Sequence, residues 1–174
     1  MSDPRSGKRR ERLLKWLQDA YAMEQEAETM MKAMASRIEN YPVLAARIGQ
    51  HVQETRQQSE SLRQCIQSLG GSVPTAKGLF ASLTAAMHAA GNSMMEDEIV
   101  KGIGLSFGFE NTEIATYRAL VVAAERAGAT DIAAVCGQIL QEEIAMARWL
   151  EDHQDVLVGA FLDRDETPGA EAKR

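Results

Sequence analysis

The sequence predicts an all-α bundle of four long helices, and three observations carry that reading. Ala, Leu and Met are abundant, whereas aromatic residues make up 5% of the chain and Pro occurs four times. Such a composition favours helix over sheet. Apolar residues recur at steps of three, four and seven over four long stretches, the mark of helices packed along a shared seam. Helix-breaking words separate the stretches at Asn40-Tyr41-Pro42, Gly70-Gly71 and Ala127-Gly128-Ala129-Thr130. A chain of 174 residues, 45% apolar and 25% charged, fits one soluble domain with a substantial core.

The first helix is expected from about Arg9 to Asn40. Its seam reads Leu13, Ala20, Ala27 and Met34, interleaved with Leu17, Glu24, Met31 and Ile38. Pro42 suits the first turn of the next helix, and the short connection makes that helix antiparallel to the first. The second helix covers Val43 to Leu69 and stops at Gly70-Gly71. Its seam is Leu44, Ile48, His51, Thr55, Gln58, Leu62 and Leu69, with a polar middle that an inert core does not choose. Glu54, one turn after His51, sits about 60° round the helix from it.

A short additional helix is expected between the second and third long helices, starting at Val73-Pro74-Thr75 and ending at Gly91-Asn92. The third long helix runs from about Ser93 to Ala127 with Val100, Ile103, Phe107, Ile114, Tyr117, Val121 and Ala124 on its stripe. The missing member of that series is Glu110, and Glu113 leans toward the same face from one turn on. Gly102, Gly104 and Gly108 have no dinucleotide-loop spacing and point to close packing against the short additional helix, or to a local kink. After Gly128 as a cap residue and Thr130 as the next N-cap, the fourth helix extends to about Val158. Its series are Ile132, Ile139, Met146, His153 and Cys136, Glu143, Leu150, Leu157. Glu142 points about 100° away from Glu143 and is expected in solvent. The domain reading is therefore a flexible basic arm over 1–8, the bundle over 9–160 and a disordered polar tail over 161–174.

A net charge of −6 argues against nucleic acid or an anionic membrane as partner. The N-terminus is basic but lacks the apolar run of a signal peptide, and no stretch approaches the roughly 20 apolar residues that span a bilayer. Cys65 and Cys136 match no zinc or redox spacing and read as two buried thiols of a reducing compartment. A cytoplasmic protein is expected.

Glu24, Glu110 and Glu143 each replace one apolar residue in an otherwise intact seam. With His51, Glu54 and Glu113 they can converge on a single layer. Like charges at that density do not all ionise without a counter-charge. Two readings follow: a hydrogen-bonded layer that fixes register, or a pair of divalent cations. Carboxylate oxygens with a little imidazole suit iron or manganese. Tyr21 and Tyr117 could donate to the carboxylates or serve as core residues.

Four local words extend this reading. Asp19-Ala20-Tyr21-Ala22-Met23-Glu24, His51-Val52-Gln53-Glu54-Thr55, Glu110-Asn111-Thr112-Glu113-Ile114-Ala115-Thr116-Tyr117 and Leu140-Gln141-Glu142-Glu143 occur in order over residues 10–160. In order and spacing the chain resembles the ferritin-like superfamily, and specifically the YciE/YciF family of bacterial stress-associated proteins. The resemblance implies a ferritin-like four-helix bundle, often dimeric, with a dinuclear metal site whose substrate is an oxidant or a metal ion. It implies metal ligands at Glu24, His51, Glu54, Glu110, Glu113 and Glu143, with Tyr21, Gln58 and Tyr117 around them. The catalytic residues stay unassigned. The chain departs from the bundle-core di-iron pattern in having Met146 three residues after Glu143, and His51-x-x-Glu54 in reversed order. It also has Gln58 and Asn111 where many members carry His. A metal-free structural or interaction module is the alternative.

Overall fold

The computed structural model describes residues 4–74 and 96–173. It contains four long helices: α1 (Pro4–Ala35), α2 (Pro42–Ser68), α3 (Glu98–Arg126) and α4 (Thr130–Asp165). The expected short helix between the second and third lies outside the described residues. The α1–α2 and α3–α4 hairpins each pack closely, and α1–α3 and α2–α4 contacts join them into a four-helix bundle. No described helix is long and apolar enough to cross a membrane.

The turn chemistry accounts for the stops. Gly70 and Gly128 have φ of 80° and 71°, the left-handed conformation that a Cβ opposes. At each, paired backbone bonds close the last turn: Gly71 N–H to Ile66 O at 3.0 Å, and Ala129 N–H to Ala124 O at 2.9 Å. Pro42 opens α2 as expected. Thr130 is the first residue of α4 and not its N-cap, which falls on Ala129.

The bounds differ at three ends. α1 starts at Pro4, inside the stretch read as an arm, and Arg9 Nη1 there donates to the Arg126 carbonyl at the end of α3. It stops at Ala35, before the expected Asn40, and Arg37 instead reaches Glu98 of α3. α4 runs past Val158 to Asp165 because Leu157 and Phe161 stay buried beside Tyr41 and Leu44. In the segment read as a tail, Ala172 is buried and its carbonyl accepts the Tyr41 hydroxyl.

Among the described residues the buried core is two apolar clusters. One holds Leu13, Leu17, Leu62, Ile66, Leu120 and Ile132, together with both free cysteines. The other holds Leu44, Ile48, Ile99, Ile103, Met146 and Leu150. Between the two lies a layer of buried polar side chains: Glu24, His51, Thr55, Gln58, Glu110, Glu113 and Glu143. Polar groups cost several kcal/mol to bury without partners, roughly, so this layer is where the fold requires an explanation.

Candidate metal centre

Every long helix contributes to the layer. His51 from α2, Glu110 and Glu113 from α3 and Glu143 from α4 each present one ligand-type atom, and these atoms lie within 4.8 Å of one another. All four side chains are buried. His51 Nε2 is 3.3 Å from a Glu110 oxygen and 3.2 Å from a Glu143 oxygen. Those separations are short enough for hydrogen bonds, yet the alignment is not, and His51 Nε2 has no hydrogen-bond partner.

The other ring nitrogen is well partnered. His51 Nδ1 is 2.7 Å from Glu54 Oε2, which also accepts from Arg47 Nη1 at 3.1 Å. Gln50 Nε2 donates to Glu54 Oε1 at 2.8 Å. Glu54 is a quarter exposed and sits behind the imidazole, on the side away from the other carboxylates. Its three-residue step from an inward-facing His51 carries it to the helix edge, where Arg47 and Gln50 meet it. The structure therefore places Glu54 as an orienting partner of His51 and outside the four-group cluster.

Glu24 enters from α1 and is fully buried. The Tyr117 hydroxyl donates to Glu24 Oε1, while Oε2 has no partner. Tyr117 thus touches the layer as expected. Tyr21 is half-buried and lines a surface groove with Glu28, Arg56 and Arg63, so it does not face the centre. Gln58 Nε2 donates to Glu143 Oε1 at 2.5 Å and to Glu142 Oε2 at 2.9 Å. Glu142 is half-buried rather than solvated, because Gln58 and Gln138 both reach it. Asn111 is exposed and donates to the Phe107 carbonyl of its own helix, so its position does not face the layer. Met146, where a histidine would complete a Glu-x-x-His pair, is packed in the apolar core.

Glu113 is as deeply buried as Glu110, each 2% exposed. The buried stripe of α3 runs through Ile99, Ile103, Glu113, Tyr117, Leu120 and Ala124, while Phe107, Ile114 and Val121 are only half-buried. The helix turns its core face slightly away from the stripe read in the sequence, because it packs against both α1 and α4.

The electrostatics follow from crowding. Burial, and then the neighbouring Glu143 carboxylate, push Glu24 well above the usual carboxylate range despite the Tyr117 bond. Burial and the charges of Glu24, Glu143 and Glu110 do the same to Glu113. Burial raises Glu110 to about 7, with His51 opposing. For His51, burial favours the neutral ring, but Glu110, Glu143 and Glu54 outweigh it and lift the pKa to about 12. The His51 contact, with help from Arg47, holds Glu54 down at about 2.

Does this group fit a metal? Glu24 Oε2, Glu110 Oε2, Glu113 Oε1, Glu143 Oε2 and His51 Nε2 are all buried and lack hydrogen-bond partners. Native cores rarely leave so many buried polar atoms unpaired in one place. Their chemistry, hard oxygens with one imidazole nitrogen, fits a first-row divalent cation such as iron or manganese. A cation would supply the positive charge that His51 alone provides among the described residues at the centre.

Comparison with known proteins agrees with the architecture. The model of the family described as Domain of unknown function (DUF892) matches residues 8–163. A crystal structure of a protein from Xanthomonas campestris pv. campestris is similar with 55% identity and a TM-score of 0.80, over 92% of this chain and 99% of that one. An archaeal Dps homologue from Halobacterium salinarum gives a TM-score of 0.68 at 20% identity, over 84% of this chain and 81% of that one. The bacterioferritin of Desulfovibrio desulfuricans, whose structure describes a diiron site, gives 0.66 at 17% identity, over 91% and 86%. The last two likenesses establish the fold alone: an all-α, ferritin-like four-helix bundle.

Proposed function

The chain belongs to the DUF892 family, and from that premise we propose that its bundle holds a dinuclear iron or manganese centre that handles oxidants or iron during stress. The observation that carries the reading is the set of buried, unpartnered oxygens of Glu110, Glu113 and Glu143 clustered with His51, with a further buried, unpartnered oxygen on Glu24 in the same layer. Glu24, His51, Glu110, Glu113 and Glu143 would hold the ions. When bound, such ions supply redox equivalents and Lewis acidity toward a small oxygen species.

The surrounding residues position these groups. Glu54 accepts the Nδ1 proton of His51, so that Nε2, once a bound cation displaced its own proton, would present its lone pair to the centre, the usual second-layer arrangement for a metal-binding histidine. The amide of Gln58 fixes one oxygen of Glu143, and the hydroxyl of Tyr117 fixes one oxygen of Glu24. In each case the other oxygen is left for the centre. The apolar clusters on either side keep bulk water from the layer. The protein would act as a cytoplasmic homodimer of the YciE/YciF type, a reading supported by the four sequence words and by the ferritin-like fold.

One observation favours a second reading. A protonated His51 meets Glu54, Glu110 and Glu143 together, so the layer has an internal cation and can persist without metal. In that case the protein is a structural or interaction module. Metal analysis of protein purified without chelator separates the two. Two equivalents of iron or manganese, lost in Glu110→Ala and Glu143→Ala, support the centre; metal content unaffected by both substitutions removes it.

A further inference from the structure

We infer that the basic groove between the start of α1 and the end of α3 receives the acidic outer face of α4 from a second copy of this chain. The inference does not use the metal centre; it assigns the surfaces through which copies meet.

The groove has a volume of about 680 Å³. Arg5, Lys8, Arg9 and Arg12 of α1 and Arg126 of α3 line it, and no acid among the described residues does. Arg5, Arg9, Arg12 and Trp16 recur at steps of four, three and four, which places them on one helix face. Such a concentration of positive charge stands out in a chain of net charge −6. Its place on the helix is unfavourable as well: the first turn of α1 holds no acid, and cations there add to the positive end of the dipole. Lys8, Arg12 and Arg126 form no ion pair with a described residue. Between the cations the surface is apolar, with Trp16 and Val122 both exposed.

The complement lies at the other end of the bundle. Asp152, Asp155 and Asp163 are exposed on α4 and fall within about a quarter turn of its surface. Glu166 continues the stripe at the C-cap, and Arg148 bounds it one turn before Asp152. None of these four acids forms an ion pair with a described residue. Asp163 also lies in the last turn of α4, where an anion adds to the negative end of the dipole. Exposed Val156 and Leu162 flank the stripe. Among the described residues, four of the five exposed large apolar side chains therefore belong to these two surfaces, Val43 being the fifth. Each surface combines exposed hydrocarbon with one sign of charge, and the signs are opposite.

The two surfaces do not meet within one molecule. Arg9 is bonded to the Arg126 carbonyl at the end of α3, whereas Leu157 and Phe161 pack beside Tyr41 in the α1–α2 turn. Most of the length of α4 separates them, a rise of roughly 30–50 Å. A second copy supplies the stripe to the groove, and one contact then relieves the unfavourable charge at both ends. Opposite charge steers the encounter, while the apolar side chains form the part that is buried. Single surface ion pairs stabilise little, so the contact needs several charges acting together with Trp16 and Val122. A nucleic acid or an anionic membrane would satisfy the groove alone; it would be repelled by the rest of a chain of charge −6 and would leave the α4 stripe uncovered.

Sedimentation velocity and tryptophan fluorescence test the contact. Trp149→Phe leaves Trp16 as the single tryptophan. Its emission should shift to the blue as protein concentration rises at low salt, and return in about 0.5 M NaCl, which screens charges beyond a few ångströms. Arg9→Glu with Arg12→Glu, and separately Asp155→Lys with Asp163→Lys, should each weaken self-association at least about tenfold. The four changes together, or an equimolar mixture of the two charge-reversed proteins, should restore it, which separates docking from a loss of folding. Metal content should match wild type in every variant, so failure of the contact and failure of the centre are distinguishable. Association unchanged in either charge-reversed protein, or restored neither by the combined variant nor by the mixture, overturns the inference. So does a groove that binds a single-stranded oligonucleotide or vesicles of anionic phospholipid while wild type shows no salt-sensitive self-association, since its partner is then a nucleic acid or a membrane.

Discussion

Glu54 Oε2 lies 2.7 Å from His51 Nδ1, and this contact turns the other imidazole nitrogen toward Glu110 and Glu143. The pair fixes both the ring orientation and the tautomer that a metal ligand needs. Replacing Glu54 by Ala should therefore weaken metal binding by about 10–100-fold while leaving the bundle folded. Titration against a competing chelator, with circular dichroism as the check on folding, reads both quantities. Glu54→Gln, which keeps an acceptor, should recover part of the loss.

Without metal, the buried oxygens of the layer are a burden on stability. Glu113 Oε1 has no partner and its residue is 2% exposed. Glu113→Leu should therefore stabilise the chelator-treated protein by about 1–3 kcal/mol, observed as a rise of several degrees in Tm. In metal-loaded protein the same change should lower Tm, because a ligand is lost. The opposite signs, measured by calorimetry with and without metal, are the test.

Chelator-treated protein should lose stability as pH rises. Burial lifts Glu24 and Glu113 well above their usual value, and Glu110 from 4.5 to about 7. A carboxyl whose folded pKa is raised contributes stability that is full below 4.5 and is lost as pH climbs through the folded value. His51 adds to the same trend, since its contribution is full below 6.5 and declines toward about 12. Glu54 acts oppositely but only in acid, its contribution disappearing as pH falls from 4.5 toward about 2. Urea midpoints in chelator should thus fall between about pH 5 and pH 8. Glu110→Gln should flatten the part of that slope below about 7. A rising profile would contradict the burial of these acids.

Gly128 offers a control remote from the layer. Its φ of 71° is left-handed, so Gly128→Ala should cost about 1–2 kcal/mol by urea unfolding. Metal content should not change, which separates loss of bundle stability from loss of the centre.

Much of this layer was legible in the sequence because burial leaves a mark on periodic helices. Glu24, Glu110 and Glu143 each sit where a seam expects an apolar side chain, and all three are buried in one layer. His51, Thr55 and Gln58 were visible the same way, as a polar run on a core face. Glu113 was harder to place. A strict seven-residue frame drifts by about 20° per heptad against a straight helix, enough to move a residue from edge to centre. The Gln58–Glu142 bond and the Arg37–Glu98 pair join residues 84 and 61 positions apart, the first between two helices and the second from the α1–α2 turn to α3, and no single-helix pattern encodes them. Tyr21, read either as a donor to the carboxylates or as a core residue, instead lines the groove with Arg56 and Arg63 of α2, which a pattern on α1 alone does not reveal. Packing of the α3 glycines against the short additional helix lies outside the described residues; among the described ones, Gly102 faces Met34 of α1, a contact no single-helix pattern encodes.

The most direct test of the central claim is anomalous X-ray scattering from crystals of protein loaded with iron(II) or manganese(II). The account predicts two anomalous peaks inside the layer, within bonding distance of His51 Nε2 and of oxygens from Glu24, Glu110, Glu113 and Glu143. A fully loaded crystal with no peak in the layer, and His51 still between Glu54, Glu110 and Glu143, would contradict it and leave the metal-free module as the reading.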